Sequence, residues 1–107
     1  MTTQLRNRLI AGGWTIGGES GFVNPRTGVA VGGDDFWQRE TPNGGIVTFG
    51  RVDGSGEPAG LTDNARSDYY SDATRFEQGL KPDGEISGTA GVVLEIADGF
   101  LASLSRL

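Results

Sequence analysis

Asp35-Phe36-Trp37-Gln38-Arg39-Glu40-Thr41, then Pro42-Asn43-Gly44-Gly45, then Ile46-Val47-Thr48-Phe49-Gly50-Arg51-Val52, is the stretch that decides the fold. Pro-Asn-Gly-Gly between two runs rich in β-branched and aromatic residues is turn chemistry, and it predicts a β-hairpin. In the outgoing run Ile46, Thr48, Gly50 and Val52 share one face, and Val47, Phe49 and Arg51 share the other. In the incoming run Phe36 and Trp37 are neighbours, so their rings point to opposite faces. One of them is then covered by a helix or offered to a partner.

Working outward, Gly21-Phe22-Val23 and Val29-Ala30-Val31 flank Asn24-Pro25-Arg26-Thr27-Gly28, which predicts another hairpin. Trp14-Thr15-Ile16 is a short strand between glycine pairs. Before it, Thr3 can cap a short helix with Leu5, Leu9 and Ile10 as its apolar stripe and Gly12-Gly13 as its stop. On the other side, Asp53 to Gly60 is a loop by composition. A helix capped by Thr62 or Asp63 and running to about Gln78 is expected from Ala65, Tyr69, Ala73, Phe76 and Leu80, which recur at steps of three or four. Gly79 is its left-handed stop, and Lys81-Pro82-Asp83-Gly84 is a turn. At the end, Val93, Ile96, Ala97, Phe100, Leu101, Leu104 and Leu107 fit one helical face. Gly91 to Ile96 also reads as a strand, with Asp98 capping a shorter helix, but the helical reading is preferred. The expected architecture for residues 1–107 is one α+β domain. It has a short N-terminal helix, four or five antiparallel strands in two hairpins, and two C-terminal helices packed on one sheet face.

Composition narrows the chemistry. The 107 residues contain no histidine and no cysteine, which removes disulfides, thiolate metal sites, thiol nucleophiles and histidine general bases. No metal or cofactor is therefore expected, and no enzyme activity. Fourteen acidic against nine basic side chains give a formal charge of −5, which argues against electrostatic binding to nucleic acid or an anionic membrane. No apolar run is long enough for a membrane span, and residues 1–6 lack the apolar run of a secretory signal. A cytoplasmic protein, or a component of a virion or larger assembly, is the expectation.

Several local patterns suggest sites. Gly54, Ser55, Gly56 and Gly60 form a glycine-rich loop between an expected strand and an expected helix, a context that can bring backbone amides to a phosphate. The loop lacks the Lys-Ser/Thr of a P-loop and carries Glu57, so an ordinary connection is the better reading. Asp53, Ser55 and Glu57 alternate like a calcium loop, but Pro58 and Asn64 stand where an EF-hand needs Gly and Glu. Asp34 and Asp35 are adjacent and would point apart on a strand. Trp14, Phe36, Trp37 and Tyr70 are of the types enriched at interface centres, and they are the candidate partner-binding residues. If Trp37 is such an anchor, its loss weakens binding and leaves the fold intact.

Leu9-Ile10-Ala11-Gly12-Gly13-Trp14-Thr15-Ile16, followed by Gly21 to Pro25 and Gly28 to Val31, resembles the opening of HicA-type toxins, which have a double-stranded-RNA-binding-like fold. The resemblance is confined to residues 9–31. The histidine that carries the family's ribonuclease activity has no counterpart here. What it implies is a helix followed by a hairpin, and no activity.

The reading that follows is a small acidic interaction or assembly module that binds a protein partner or copies of itself. Phage and mobile-element accessory proteins share this size and composition. The alternative is a small-ligand or nucleotide binder using the Gly54–Gly60 loop.

Overall fold

The computed structural model describes residues 2–17, 35–52 and 62–105. The first element is helix α1, Thr3–Ala11. Its cap is Thr2, one residue earlier than expected, whose hydroxyl accepts from the Leu5 amide at 3.2 Å. Leu5 and Leu9 are buried, and Gly13 ends the helix at φ 84°. The Trp14 amide reaches back to the Leu9 carbonyl at 3.0 Å, so the indole is delivered into the core directly behind the helix.

Five strands follow: β1 (Thr15–Ile16), β2 (Phe36–Glu40), β3 (Ile46–Val52), β4 (Asn64–Tyr70) and β5 (Gly84–Thr89). They form one antiparallel sheet in the order β1-β2-β3-β4-β5. The β2–β3 hairpin has the expected turn. Gly44 takes φ 87°, and the Thr41 hydroxyl accepts from the Gly45 amide at 2.8 Å. The α+β class and its antiparallel sheet are as expected.

The expected helix from about 62 to 78 is corrected. Its first half is β4, and only Ala73–Glu77 is helical (α2), capped by Asp72 accepting from the Thr74 amide at 2.8 Å. Ala65 and Tyr69 are four apart, a spacing that satisfies a period of two as well as one of 3.6. With Asn, Ser, Asp and two Tyr between residues 64 and 70, strand pairing wins over weak helix propensity. Gly79 (φ 70°) ends α2 as expected, with the Leu80 amide on the Arg75 carbonyl at 3.0 Å. The third helix, α3 (Ala90–Leu104), agrees with the helical reading of the last segment. Asp98 does not cap it; its carboxylate accepts from the Trp14 indole N–H at 2.8 Å.

Helices α1 and α3 cover one face of the sheet. Leu5, Leu9, Trp14, Trp37, Phe49, Val93, Leu94 and Leu101 make the main core there, with Trp14 edge-on to Phe49 at 6.1 Å. The short α2 does not join them. Phe76 lies on the opposite face, stacked on Phe36 at 6.3 Å and tilted against Tyr70 at 5.3 Å, in a second small core with Ile46. The expected packing of both C-terminal helices on one face holds for α3 and not for α2. The expected hairpin at 21–31 lies outside the described residues.

Asp83 ties the α2 connection to the end of β4. Its carboxylate accepts from the Ser71 amide and hydroxyl, both at 2.8 Å, with Arg75 Nε at 3.8 Å. The two Ser71 hydrogen bonds hold its pKa below the ordinary 3.8, and Arg75 adds to the effect. A carboxylate whose folded pKa is depressed adds stability above its unfolded pKa and loses it as pH falls through the folded one. Asp83→Ala should therefore lower Tm at pH 7, and the gap to wild type should close below pH 3.8, as thermal melts across pH will show.

Candidate protein-interaction surface

The structure places all four candidate aromatics in the interior: Trp14 at 3%, Trp37 at 2%, Phe36 at 6% and Tyr70 at 1% exposure. The reason is that both faces are covered where they sit. Trp37 lies in the core beneath α1 and α3, and Phe36 and Tyr70 pack on Phe76 of α2. The expectation of exposed anchors at these positions is corrected, and the accessible apolar surface is found elsewhere. The Gly54, Ser55, Gly56 and Gly60 loop lies outside the described residues, as does Asp34; Asp35 directly precedes β2.

The accessible surface is built on α3. At about 100° per residue, positions two apart on a helix lie on opposite sides. Asp98 faces α1, since it holds Trp14. Ile96 and Phe100, two residues before and after it, therefore face away from α1 and over the last strand. Val92, Ile96 and Phe100 form an i, i+4, i+8 stripe on that flank. Val92 is 54% and Ile96 50% exposed, while Phe100 is half-buried. Below the stripe an apolar groove of about 280 Å³ opens between α3 and the sheet, lined by Tyr69, Ile86, Ile96 and Phe100 among others. Tyr69 meets Phe100 edge-on at 4.7 Å, and its hydroxyl accepts from the Asn43 side-chain amide at 3.0 Å.

The groove floor ends at β5, which among the described residues pairs on one side only. The Ala90 amide donates to the Asp63 carbonyl at 2.8 Å, an opposed pair that continues the Asn64↔Thr89 register. An antiparallel ladder alternates bonded and non-bonded pairs, so the backbone groups of Glu85 and Ser87 and the Thr89 amide turn outward, while the Thr89 carbonyl is taken by the first turn of α3. Edge strands are commonly guarded by lysine, proline or an inward-pointing charge. From Gly84 to Thr89 there is no lysine or proline.

On the opposite face Glu85 is held by Arg66, which also donates Nε–H to the buried Asp68 at 2.8 Å. Burial alone would lower the Arg66 pKa. The hydrogen bond to Asp68 and the charges of Asp68 and Glu85 outweigh it and raise the pKa above its ordinary value. The edge is thus presented with its acidic side chain already paired. Sequence reading missed Tyr69, Ile86 and Val92 as surface residues and assigned Ile96 and Phe100 to the core. The available signal was the excess of apolar residues in α3. Val92, Val93, Leu94, Ile96, Ala97, Phe100, Leu101 and Leu104 exceed what one buried face accommodates.

No family model, curated protein or solved structure matches this chain. Among the described residues no helix is long and apolar enough to cross a membrane, and no three His, Cys, Asp or Glu side chains converge as metal ligands.

Proposed function

We propose that the protein is a self-assembly module in which β5 pairs antiparallel with β5 of a second copy. One observation carries this reading: the strand edge left open among the described residues and the Val92–Ile96–Phe100 stripe lie on the same flank. A single twofold axis then satisfies both surfaces at once. Pairing centred on Ser87 matches the outward-turned residues. Glu85 stands opposite Thr89 of the second copy, so no like charges meet, and the three pairs supply about four interchain hydrogen bonds, because the Thr89 carbonyls are used within α3. The two α3 stripes meet above them and cover each other's exposed isoleucine and valine. Association costs several kcal/mol of rotational and translational freedom, so a dimer on the order of micromolar affinity is expected.

Ser87 sits on the axis, and bonded antiparallel pairs hold Cα atoms about 5.5 Å apart, within the range a disulfide spans. Because the chain has no cysteine, Ser87→Cys should oxidise cleanly to a disulfide-linked dimer. Ser87→Pro removes an outward amide that the β4–β5 ladder does not use, so it should keep the fold and abolish dimerisation in sedimentation equilibrium. A wild-type chain that stays monomeric at hundreds of micromolar, with no cross-linking of Ser87→Cys, overturns the reading. The edge would then be free for a foreign strand, which a displayed peptide library selected with and without Ser87→Pro would reveal.

A further inference from the structure

A second cavity, of about 230 Å³, lies on the other flank of α3, against α1, and is unrelated to the β5 edge. Its wall includes Thr2, Arg8, Arg51, Asp63, Ala90 and Gly91. Two features of it are unusual in a chain of net charge −5. Arg51 points from β3 under the helices and is only 7% exposed, yet its buried Nε has no hydrogen-bond partner among the described residues. A buried guanidinium N–H left without an acceptor is costly, and a guanidinium held at that cost on a cavity wall calls for an anion in the cavity. The cavity also receives the start of α3, whose cap residue Thr89 makes no side-chain cap bond and whose first turn holds no acidic residue. Ala90 spends its amide on the Asp63 carbonyl, and the amides that follow it open the helix toward the cavity.

Arg8 supplies a second cation. A Cβ placed on Gly91 would lie 3.7 Å from Arg8 Nη1, so the Arg8 guanidinium lies directly over the glycine at the helix start. The wall opposite is the first turn of α1, also without an acidic residue. Against two arginines and two helix starts stands one acid, Asp63, whose side of the wall is exposed. The volume falls below the ~300–1,000 Å³ of sites for drug-sized ligands.

From this we infer that Arg8, Arg51 and the N-terminus of α3 form a binding site for a phosphate group. The Arg51 guanidinium and the Gly91 and Val92 amides donate to the phosphate oxygens, and Arg8 closes over them from α1. The assignment does not depend on the β5 reading, since the two sites lie on opposite flanks of α3.

The test is a titration of the full chain with inorganic phosphate at pH 7, followed by nitrogen–proton correlation spectra, with sodium chloride at matched ionic strength as reference. Saturable shifts are expected at the Gly91 and Val92 amides and in the guanidinium N–H signals of Arg51. Arg51→Met should weaken binding at least tenfold, and Arg8→Gln, on the exposed side of α1, several-fold. A parallel titration with O-phosphoserine identifies the source. Tighter binding than inorganic phosphate assigns an esterified phosphate, and equal binding assigns the free anion. Shifts that grow linearly and match those in chloride overturn the site, as does a folded Arg51→Met of unchanged affinity. Should Arg51→Met fail to fold, unchanged affinity in Arg8→Gln overturns it instead.

Discussion

Replacing Trp37 by alanine should cost about 3–5 kcal/mol of folding stability, the usual penalty for emptying a large buried aromatic site. A domain of this size holds only about 5–15 kcal/mol in total, so the variant should be close to unfolding at 37 °C. The side chain is 2% exposed and lies in β2 opposite Phe49 on one side and Ile16 on the other, in the cluster that α1 and α3 cover. A cavity there removes contacts from the sheet and from both helices together, and a rigid sheet cannot collapse to refill it. Urea denaturation measures the effect. With a slope of about 1–3 kcal/mol per molar, the midpoint should fall by about 2 M. An unchanged midpoint would mean that the indole stands outside the core. Phe36→Ala removes a ring from the smaller cluster on the opposite face and should cost less, because that cluster comprises Phe36, Ile46, Tyr70 and Phe76 with Ala73 beside it.

The contrast between these two rings shows what the sequence makes legible. That Phe36 and Trp37 point to opposite faces follows from the pleat alone. Which face is covered depends on elements distant in sequence. Trp37 is buried by helices that begin at residues 3 and 90, and Phe36 by a five-residue helix hidden inside an apparent longer one. The β2–β3 hairpin and α3 were readable because their signals are local: turn residues for the first, a long apolar period for the second. β5 carries no such signal. As an edge strand it has one half-buried apolar residue, Ile86, among glycines and polar residues, so no alternation exists to detect. The groove was hidden for a related reason. Ile96 and Phe100 belong to the apolar arc of α3, and only the sheet's width determines where that arc outruns its cover. Arg8 and Arg51 are unremarkable in sequence, and they meet because α1, β3 and the start of α3 border one cavity.

Both proposed surfaces depend on α3 being held at one rotation about its axis. Trp14 provides this from the side of α1, since its indole N–H bonds Asp98 while its ring packs on Phe49. On the β5 side Tyr69 does the same through Phe100. These two contacts, from opposite flanks, determine which residues face the groove and which face the arginine pair. The same rotation that leaves Ile96 exposed brings Gly91 under Arg8.

The other large effect is expected at Gly45. The Gly44–Gly45 pair looks like one turn signal, but the two glycines are required for different reasons. Gly44 has φ 87° and nothing within 4 Å of an added Cβ, so its requirement is conformational. Gly44→Ala should cost about 1–2 kcal/mol, the penalty of the left-handed region, and Gly44→Asn less, because asparagine tolerates that region. Gly45 has an ordinary φ and no room. A Cβ there would lie 2.2 Å from the Tyr70 carbonyl oxygen and 2.9 Å from the Thr41 hydroxyl that its own amide uses. The nearest atom is backbone, held in the β3–β4 ladder next to the Ile46↔Tyr70 pair, so it cannot swing aside as a side chain would. Relief requires β3 and β4 to separate at this end, which also opens the Phe36–Ile46–Tyr70–Phe76 cluster. Gly45→Ala should therefore cost about 3 kcal/mol, at or above the upper end for overpacking a closed site. Chemical denaturation of the three variants side by side tests the distinction. Equal losses at Gly44 and Gly45 would show that both act through backbone conformation. A loss in Gly45→Ala well above that in Gly44→Ala, with Gly44→Asn milder than either, would show that close approach of two strands sets the requirement at Gly45.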